Sequence, residues 1–442
     1  MTNHLIMVQS LRVAPGNAFS GNIRVPGDKS ISHRALLFGA LADGKTQISG
    51  FLASHDTRAT ADCLRAMGVV IEEDSSITVH GAGLHGLRAP GNVLWAGNSG
   101  TTTRLLMGIL AGQPFATMID GDESLRRRPM DRVAIPLCQM GAIITGEGPR
   151  CTPPVQIHGG NLHAIDYSTP VASAQVKSAI LLAGLYADGI TSVTEPLKSR
   201  DHTERMLTGF GVHVNETGLT VSIQGGQQLH GRQISVPGDI SSAAFFLVAG
   251  AIIPNAKITI QNVGINPTRS GVLEVLQAMG AQLAITHEHL DGGEPIADLA
   301  VQYSALSATE ISGAIIPRLI DELPILAVAA AFAKGTTVIK DASELRVKES
   351  DRIKTVSTFL RDMGVPVDET ADGMIIHGGA TLHSAIVNSD GDHRIAMSAA
   401  IAAIAAGVES QITGAETIAT SFPTFVDLVQ QLGAYAHLTT VG

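Results

Sequence analysis

The sequence predicts an α/β fold of two lobes, each made of three copies of one unit, and three observations carry that expectation. A helix-like run ending in a large apolar residue and a glycine, followed by a short β-rich segment, recurs as CLRAMGVVI, LCQMGAIIT, LTGFGVHVN, LQAMGAQLAI, LRDMGVPVD and QQLGAYAHL. The tetrapeptide Val-Pro-Gly-Asp stands at Val25–Asp28 and again at Val236–Asp239. The composition is 45% apolar with only 4% aromatic residues, so the core is built of Ala, Leu, Ile and Val rather than large rings.

The recurring glycines are Gly68, Gly141, Gly211, Gly280, Gly364 and Gly433, spaced 73, 70, 69, 84 and 69 residues apart. Fixed spacing of this kind marks an internal repeat. Each glycine is placed as a left-handed helix C-cap, with the following β-rich segment as the next strand. Upstream of each lies a polar loop, an Ala/Leu-rich helix, a turn and a β-branched strand. The clearest pair is IRVPGDKSISHRALLFGALADGKTQISG and ISVPGDISSAAFFLVAGAIIPNAKITIQN. Each unit therefore reads strand, helix, strand, helix, strand.

A unit of this length cannot bury two helices and a sheet alone, so neighbouring units must share cores. The duplicated Val-Pro-Gly-Asp marks where each set of three begins. Residues 28–238 are expected to form one lobe, and residues 1–27 with 239–442 the other. Two facing lobes imply a cleft, where ligands tend to bind. A repeat scaffold for protein partners is the alternative that architecture alone leaves open.

The apolar runs Leu323–Ala333 and Met397–Val408 are far shorter than the roughly 20 residues that span a bilayer, so they are expected as buried helices despite a mean hydropathy of +0.23. The run MTNHLIMVQSLRV has no basic start, sustained apolar stretch or small-residue cleavage site, and no export signal is expected. Three cysteines, Cys63, Cys138 and Cys151, give no disulfide framework and fit a reducing, cytoplasmic compartment. Thirty basic against forty acidic residues leave a net charge of −10, which argues against a nucleic-acid surface. Any anion site must be local.

Such sites are signalled at helix starts. The helix dipole disfavours bases there, yet Lys29 and Arg34 follow Pro26-Gly27, Arg104 follows Asn98–Thr101, Lys177 follows Ser173-Ala174-Gln175, Lys348 and Arg352 flank Glu349-Ser350, and Arg394 opens the last repeat's helix. Loop N–H groups, hydroxyls and cations converging at helix starts favour phosphate or carboxylate. Lone surface bases are common, and it is the recurrence at one repeat position that points to binding. Arg126-Arg127-Arg128 is a weaker signal, carried by its place after a strand and before Pro129.

Other patterns fail. Gly81-Ala82-Gly83-Leu84-His85-Gly86 has the letters of a dinucleotide fingerprint, but Leu87–Gly91 follows where a helix should start. No phosphate-loop motif of nucleoside triphosphatases is present, and the 16 histidines show no metal-ligand spacing. His33, His202 and His393 stand beside Arg or Asp but read first as structural. Cys138 falls within a helix pattern and is placed in the core.

At these loops the chain resembles the EPSP synthase family of enolpyruvyl transferases, nearly from Gly21 to Gly433. The motifs are Pro26–Ser30 with His33-Arg34, Gly97–Thr101 with Arg104, Arg128-Pro129-Met130, Ser173–Lys177, Arg200–Glu204, Ile320-Asp321-Glu322, Arg346–Arg352, Asp392-His393-Arg394 and Thr420–Pro423. The resemblance implies an inverse α/β barrel in each of two lobes, three βαβαββ repeats per lobe, closing over the cleft. It implies transfer of the enolpyruvyl group of phosphoenolpyruvate to the 5-hydroxyl of shikimate 3-phosphate, with phosphate released. Metal, organic cofactor, nucleic acid and membrane have no part, and a monomer is expected. By this likeness Lys29, Asn98, Gly100, Thr101, Arg128, Gln175, Arg352 and Arg394 hold phosphoenolpyruvate. Lys29, Ser30, Arg34, Ser173, Ala174, Gln175, Arg200, Asp321 and Lys348 hold shikimate 3-phosphate. Lys29, Asp321 and Glu349 are the expected catalytic residues, Glu349 at the methylene carbon and the other two at the hydroxyl.

Two departures stand out: Thr420 occupies a position where many relatives carry lysine, and Leu105 one where some carry proline. Gly100 leaves room for the phosphoenolpyruvate mimic glyphosate. The UDP-N-acetylglucosamine enolpyruvyl transferases share fold and donor but usually have a reactive cysteine in the corresponding loop and an Asn after the first-loop lysine. Here Ser30 follows Lys29 and Asp120–Pro129 holds no cysteine.

Overall fold

The computed structural model describes residues 9–16 and 18–440; the run MTNHLIMV, part of the segment expected to lack an export signal, lies outside them. The described chain forms six four-stranded sheets and one short two-stranded pairing. The third repeat shows the pattern without permutation. Strand Asp166–Ser168, helix Ala174–Gly184, strand Ile190–Thr194, helix His202–Gly209 and the hairpin Val214–Thr217/Thr220–Gln224 follow in order. The first two strands pair parallel, which demands a crossover, and the inner helix supplies it. The hairpin is antiparallel and joins the sheet through Thr220–Gln224. Each unit is therefore βαβαββ, one strand more than the residue pattern alone shows; the hairpin strands are too short to declare themselves by alternation.

Two compact units divide the chain. The first takes Gly27–Val236 and Leu290–Glu294; the second takes the chain up to Pro26, Pro237–His289 and the chain from Pro295. Edge strands come from distant sequence. In the first unit Gln233–Ser235 pairs parallel with Lys45–Ser49. In the second, Ser20–Ile23 pairs parallel with Lys257–Gly264, and Gln9–Ala14 lies between Ser410–Thr413 and Tyr435–Thr440. Val-Pro-Gly-Asp thus follows a borrowed strand each time. At the first of these a Cβ on Gly27 would lie 1.9 Å from the Gly50 carbonyl oxygen, so backbone passes against backbone there.

Each repeat has an inner helix, and these are buried nearly all round: Lys29–Leu41, Gly100–Ala111 and Ala174–Gly184 in the first unit, Ile240–Ile252, Leu323–Phe332 and His393–Ala406 in the second. A helix apolar on every side has to be covered on every side. The runs expected as buried helices are among them. No described helix is long and apolar enough to cross a membrane.

The outer helices lie one per repeat, and the structure shows why each ends in glycine. All six glycines have φ between +90° and +111°. In each case the residue after the glycine donates to the carbonyl five residues back: Val69 to Leu64, Ala142 to Leu137, Val212 to Leu207, Ala281 to Leu276, Val365 to Leu360 and Ala434 to Val429. This Schellman closure turns the chain from helix into the next strand.

Two sequence expectations meet a test here. Cys138 is exposed rather than in the core, because Val133, Ala134 and Leu137 take the buried face of helix Asp131–Gln139. The Gly81–Gly86 segment runs into irregular chain, as expected of a false dinucleotide fingerprint.

The repeat glycines make a stability prediction. A Cβ on Gly433 (φ +106°) would meet the Ala18 carbonyl oxygen at 2.3 Å, whereas Gly218 (φ +62°) has open space around it. Gly433→Ala is expected to lower the unfolding free energy by about 3 kcal/mol, from left-handed strain plus a backbone clash. Gly218→Ala should lose about 1 kcal/mol, from the conformational term alone. Urea denaturation of the two variants checks this; equal losses would contradict it.

Candidate functional site

None of the six inner helices has an acid in its first turn, whereas five of the six outer helices do. The inner helices instead place acids or hydroxyls at the cap itself. Asp28 accepts from the Ile31 N–H at 2.9 Å, Ser99 from Thr102 at 3.1 Å, Asp239 from Ser241 at 2.8 Å and Asp392 from Arg394 at 2.9 Å. Cap and cation together build one polar cluster in each unit.

In the first unit Arg34, Arg104 and Arg128 donate to hydroxyls, side-chain amide oxygens and backbone carbonyls. Arg34, on the first inner helix, donates to Thr203 Oγ1 at 2.7 Å, Ser178 Oγ at 2.8 Å and its own helix's Ser30 carbonyl at 3.0 Å. Burial pushes its guanidinium down to about 10, Glu204 and Asp28 opposing and nearby Arg200 adding to the fall, so it remains charged at neutral pH. Arg104 donates to Gln175 Oε1 at 2.6 Å and to the Pro129 carbonyl at 3.2 Å, while Gln175 donates to Thr101 Oγ1 at 2.9 Å. Arg128, the one member of the arginine triplet that turns inward, donates to Asn98 Oδ1 at 2.7 Å; Arg126 instead pairs with Asp120. Lys29 reaches Asp56 at 3.2 Å.

Gly100 is where two of these cations meet. A Cβ there would lie 2.9 Å from Arg104 Nη1 and 3.2 Å from Arg128 Nη1. Two guanidinium groups therefore flank the bare first residue of a helix, where unpaired backbone N–H groups favour an anion. Behind this loop runs a buried chain of hydroxyls: His33 Nδ1 to Thr60 Oγ1 at 2.7 Å, Thr60 to Thr102 Oγ1 at 2.7 Å, and Thr102 to Ser99 Oγ at 2.8 Å.

In the second unit the cations are met by carboxylates. Arg352, 1% exposed, donates to Asp392 Oδ2 at 2.7 Å, Glu349 Oε2 at 2.7 Å and Asp321 Oδ1 at 3.1 Å. Burial alone would lower its pKa, but Asp392, Glu349 and Asp321 more than offset that and raise it. Lys348 Nζ lies 3.6 Å from Asp321 Oδ1, and Arg394 donates to the Asp321 carbonyl at 2.9 Å. Thr420 Oγ1 sits 3.3 Å from Nδ1 of His393, the residue before Arg394.

The sequence-derived residues thus gather within their own units: Lys29, Ser30, Arg34, Asn98, Gly100, Thr101, Arg128 and Gln175 in one, Asp321, Lys348, Glu349, Arg352 and Arg394 in the other. Ser173, Ala174 and Arg200 stand half-buried at the third repeat. One expectation is corrected. Lys177 does not front an anion site: it is 1% exposed and lies between Glu195, at 2.8 Å, and Glu204, at 2.6 Å. Burial would push its ammonium down, but the two carboxylates raise it and hold it charged. Asp392 and Asp56 are the partners that sequence reasoning missed. Asp392 was within sight in the Asp392-His393-Arg394 motif, but its pairing across 40 residues with Arg352 leaves no mark in local spacing.

The chain matches EPSP synthase (3-phosphoshikimate 1-carboxyvinyltransferase) over residues 13–429. It is 56% identical over 424 residues to 3-phosphoshikimate 1-carboxyvinyltransferase of Desulforamulus reducens, covering 96% of this chain and 99% of the relative. It is 55% identical over 423 residues to the protein of that name from Brevibacillus brevis, covering 96% and 99%. A solved structure of EPSP synthase from Acinetobacter baumannii superposes with a TM-score of 0.87 at 49% identity, covering 98% of this chain and all of that one. The enolpyruvyl transferase NikO from Streptomyces tendae, at 17% identity and TM-score 0.79 over 99% of this chain and 100% of its own, shares the fold.

His33 supplies a pH prediction. It is fully buried, and burial first, then Lys29 and Arg34, hold its pKa well below the ordinary histidine range. The folded protein keeps it neutral while the unfolded chain protonates it below about pH 6.5, so stability is full above that value and falls as the pH drops below it. His33→Gln should flatten the slope of unfolding free energy between pH 6.5 and 5 by up to about 1.4 kcal/mol per pH unit. Denaturant titrations across that range check it, and an unchanged slope would contradict it.

Proposed function

The chain belongs to the EPSP synthase family and is a 3-phosphoshikimate 1-carboxyvinyltransferase of the shikimate pathway, and from that premise we infer which of its residues hold each substrate and which move protons. The reaction replaces the phosphate of phosphoenolpyruvate with the 5-hydroxyl oxygen of shikimate 3-phosphate. Protonating the methylene carbon makes the adjacent carbon electrophilic, the hydroxyl oxygen adds as its proton leaves, and loss of a methyl proton with phosphate restores the double bond. The protein must supply anion binding, a proton donor and acceptor at the methylene, and a base at the hydroxyl.

The observation that carries the assignment is the pair of guanidinium groups at Gly100. Phosphoenolpyruvate is held by the Asn98–Thr101 loop with Lys29, Arg128 and Gln175, joined by Arg352 and Arg394. Arg104 belongs with them by its distance from Gly100. Shikimate 3-phosphate takes Lys29, Ser30, Arg34, Ser173, Ala174, Gln175 and Arg200, with Asp321 and Lys348. The phosphate is matched by the bases and the ring hydroxyls by the carboxylate and hydroxyl groups. Glu349 is the proton carrier at the methylene. Its carboxylate lies 2.7 Å from Arg352 and so beside the donor's expected position. Asp321, with an ammonium 3.6 Å away on Lys348, accepts the hydroxyl proton, aided by Lys29. The enzyme is read as a cytoplasmic monomer.

Phosphate release from phosphoenolpyruvate, measured with and without shikimate 3-phosphate, tests the reading as a whole. Release is expected only when both are present; binding of both without release would identify a catalytically dead module. Glu349→Gln should lower kcat by about 100-fold or more while leaving shikimate 3-phosphate binding nearly unchanged. Near-normal turnover removes the proton role. Glyphosate should compete with phosphoenolpyruvate, and Gly100→Ala, whose methyl group would crowd Arg104 and Arg128, should weaken both ligands in steady-state assays. Full glyphosate sensitivity in that variant would contradict the assignment.

A further inference from the structure

Lys177, diverted from the anion site, is the centre of a buried cluster whose other contacts lead back to it. Glu195 is 3% exposed and all its named partners are internal. Its Oε1 accepts the Ser173 N–H at 3.0 Å. Its Oε2 accepts the Ser199 N–H at 3.3 Å, the Ser199 hydroxyl at 2.9 Å and the Lys177 ammonium at 2.8 Å. Lys177 also contacts Glu204 Oε1 at 2.6 Å. Glu204 adjoins Thr203, whose hydroxyl is 2.7 Å from Arg34 Nε and 2.6 Å from Ser178 Oγ. One carboxylate therefore fixes the residue that opens the Ala174–Gly184 helix and the residue just before Arg200, and one ammonium ties that carboxylate to the helix that orients Arg34.

We propose that Lys177, Glu195 and Glu204 are positioning residues for shikimate 3-phosphate, holding Ser173, Arg200 and Arg34 in register without touching the substrate. This rests on the assignment of those three residues to that substrate. Physical cost is the reason to look beyond packing. Removing three charges from water is expensive, and buried ion clusters seldom repay it in stability against an apolar replacement of the same size. What such a cluster supplies is geometry: Ser173 and Arg200 stand on loops, and misplacement of a binding group by about 1 Å is enough to lose much of its contribution. Of the phosphoenolpyruvate contacts, Asn98–Thr101 and Arg128 lie on the second repeat, and Gln175, shared by both substrates and two residues beyond Ser173, has its amide bonded to Arg104 and Thr101.

Glu195→Gln removes the acceptor needed for one of the two loops, because an amide NH₂ cannot accept an N–H. Its expected effect is a rise of about tenfold in KM for shikimate 3-phosphate, with kcat and the KM for phosphoenolpyruvate at saturating co-substrate changing by less than about twofold. Should that variant not fold, Glu195→Asp keeps a carboxylate for the Lys177 ammonium but shortens its reach to Ser173 and Ser199, and the same KM split is expected. Arg200→Ala serves as the direct control. If Arg200→Ala raises KM for shikimate 3-phosphate and the Glu195 variants do not, positioning is overturned and the substrate assignment stands. If Arg200→Ala and the Glu195 variants all leave that KM unchanged, the assignment itself fails and the proposal with it. Equal loss toward both substrates in a folded Glu195 variant reports a general structural role and also overturns it.

Discussion

The structure depends on how a helix that is apolar on every side deals with its amino end. Each of the six inner helices buries its length in a shared core, and four N–H groups and a positive pole remain at its start. A capping carboxylate or hydroxyl answers part of that. In four of the six a cation stands within the first two turns, Lys29 with Arg34, Arg104, Lys177 and Arg394, whereas Ile240–Ile252 and Leu323–Phe332 carry none. Repeated through the chain, this arrangement gives a protein of net charge −10 local positive clusters. Association of this protein with small anions is thus a property of where its charges stand and owes nothing to their sum.

The two units answer the same constraint differently. In the first, Arg34, Arg104 and Arg128 donate to hydroxyls, side-chain amide oxygens and backbone carbonyls, and burial lowers the pKa of Arg34 although Glu204 and Asp28 oppose the fall. In the second, Arg352 is surrounded by Asp392, Glu349 and Asp321 and is held firmly charged. A cluster of neutral donors and cations suits phosphate. A cluster in which carboxylates and cations alternate suits proton transfer, because each carboxylate has a fixed partner and a fixed direction. The proposed division of labour among Lys29, Asp321 and Glu349 rests on that contrast.

Much of this was legible in the sequence where the physics is local. The six glycines required a left-handed closure, and all six have it, because no other residue takes that conformation cheaply. Cations at helix starts could be read for the same reason. What could not be read was non-local. Lys177 looked like Arg34 and Arg104 by position, but its carboxylate partners, Glu195 and Glu204, lie 18 and 27 residues away on other elements and draw it inward. Asp392 was hidden in the same way, and Cys138 was misplaced because a helix pattern names two faces without saying which is wet. The hairpin strands were too short for alternation to reveal.

Lysine acylation followed by mass spectrometry tests the central claim most directly, since it reads individual positive groups in the intact protein. With shikimate 3-phosphate and glyphosate present, modification of Lys29 and Lys348 should fall sharply, while the exposed Lys198 and Lys340 react as before and buried Lys177 stays inert throughout. Unchanged reactivity of Lys29 and Lys348 under saturating ligand would show that the cations at these helix starts do not receive the substrates, and the account would fail.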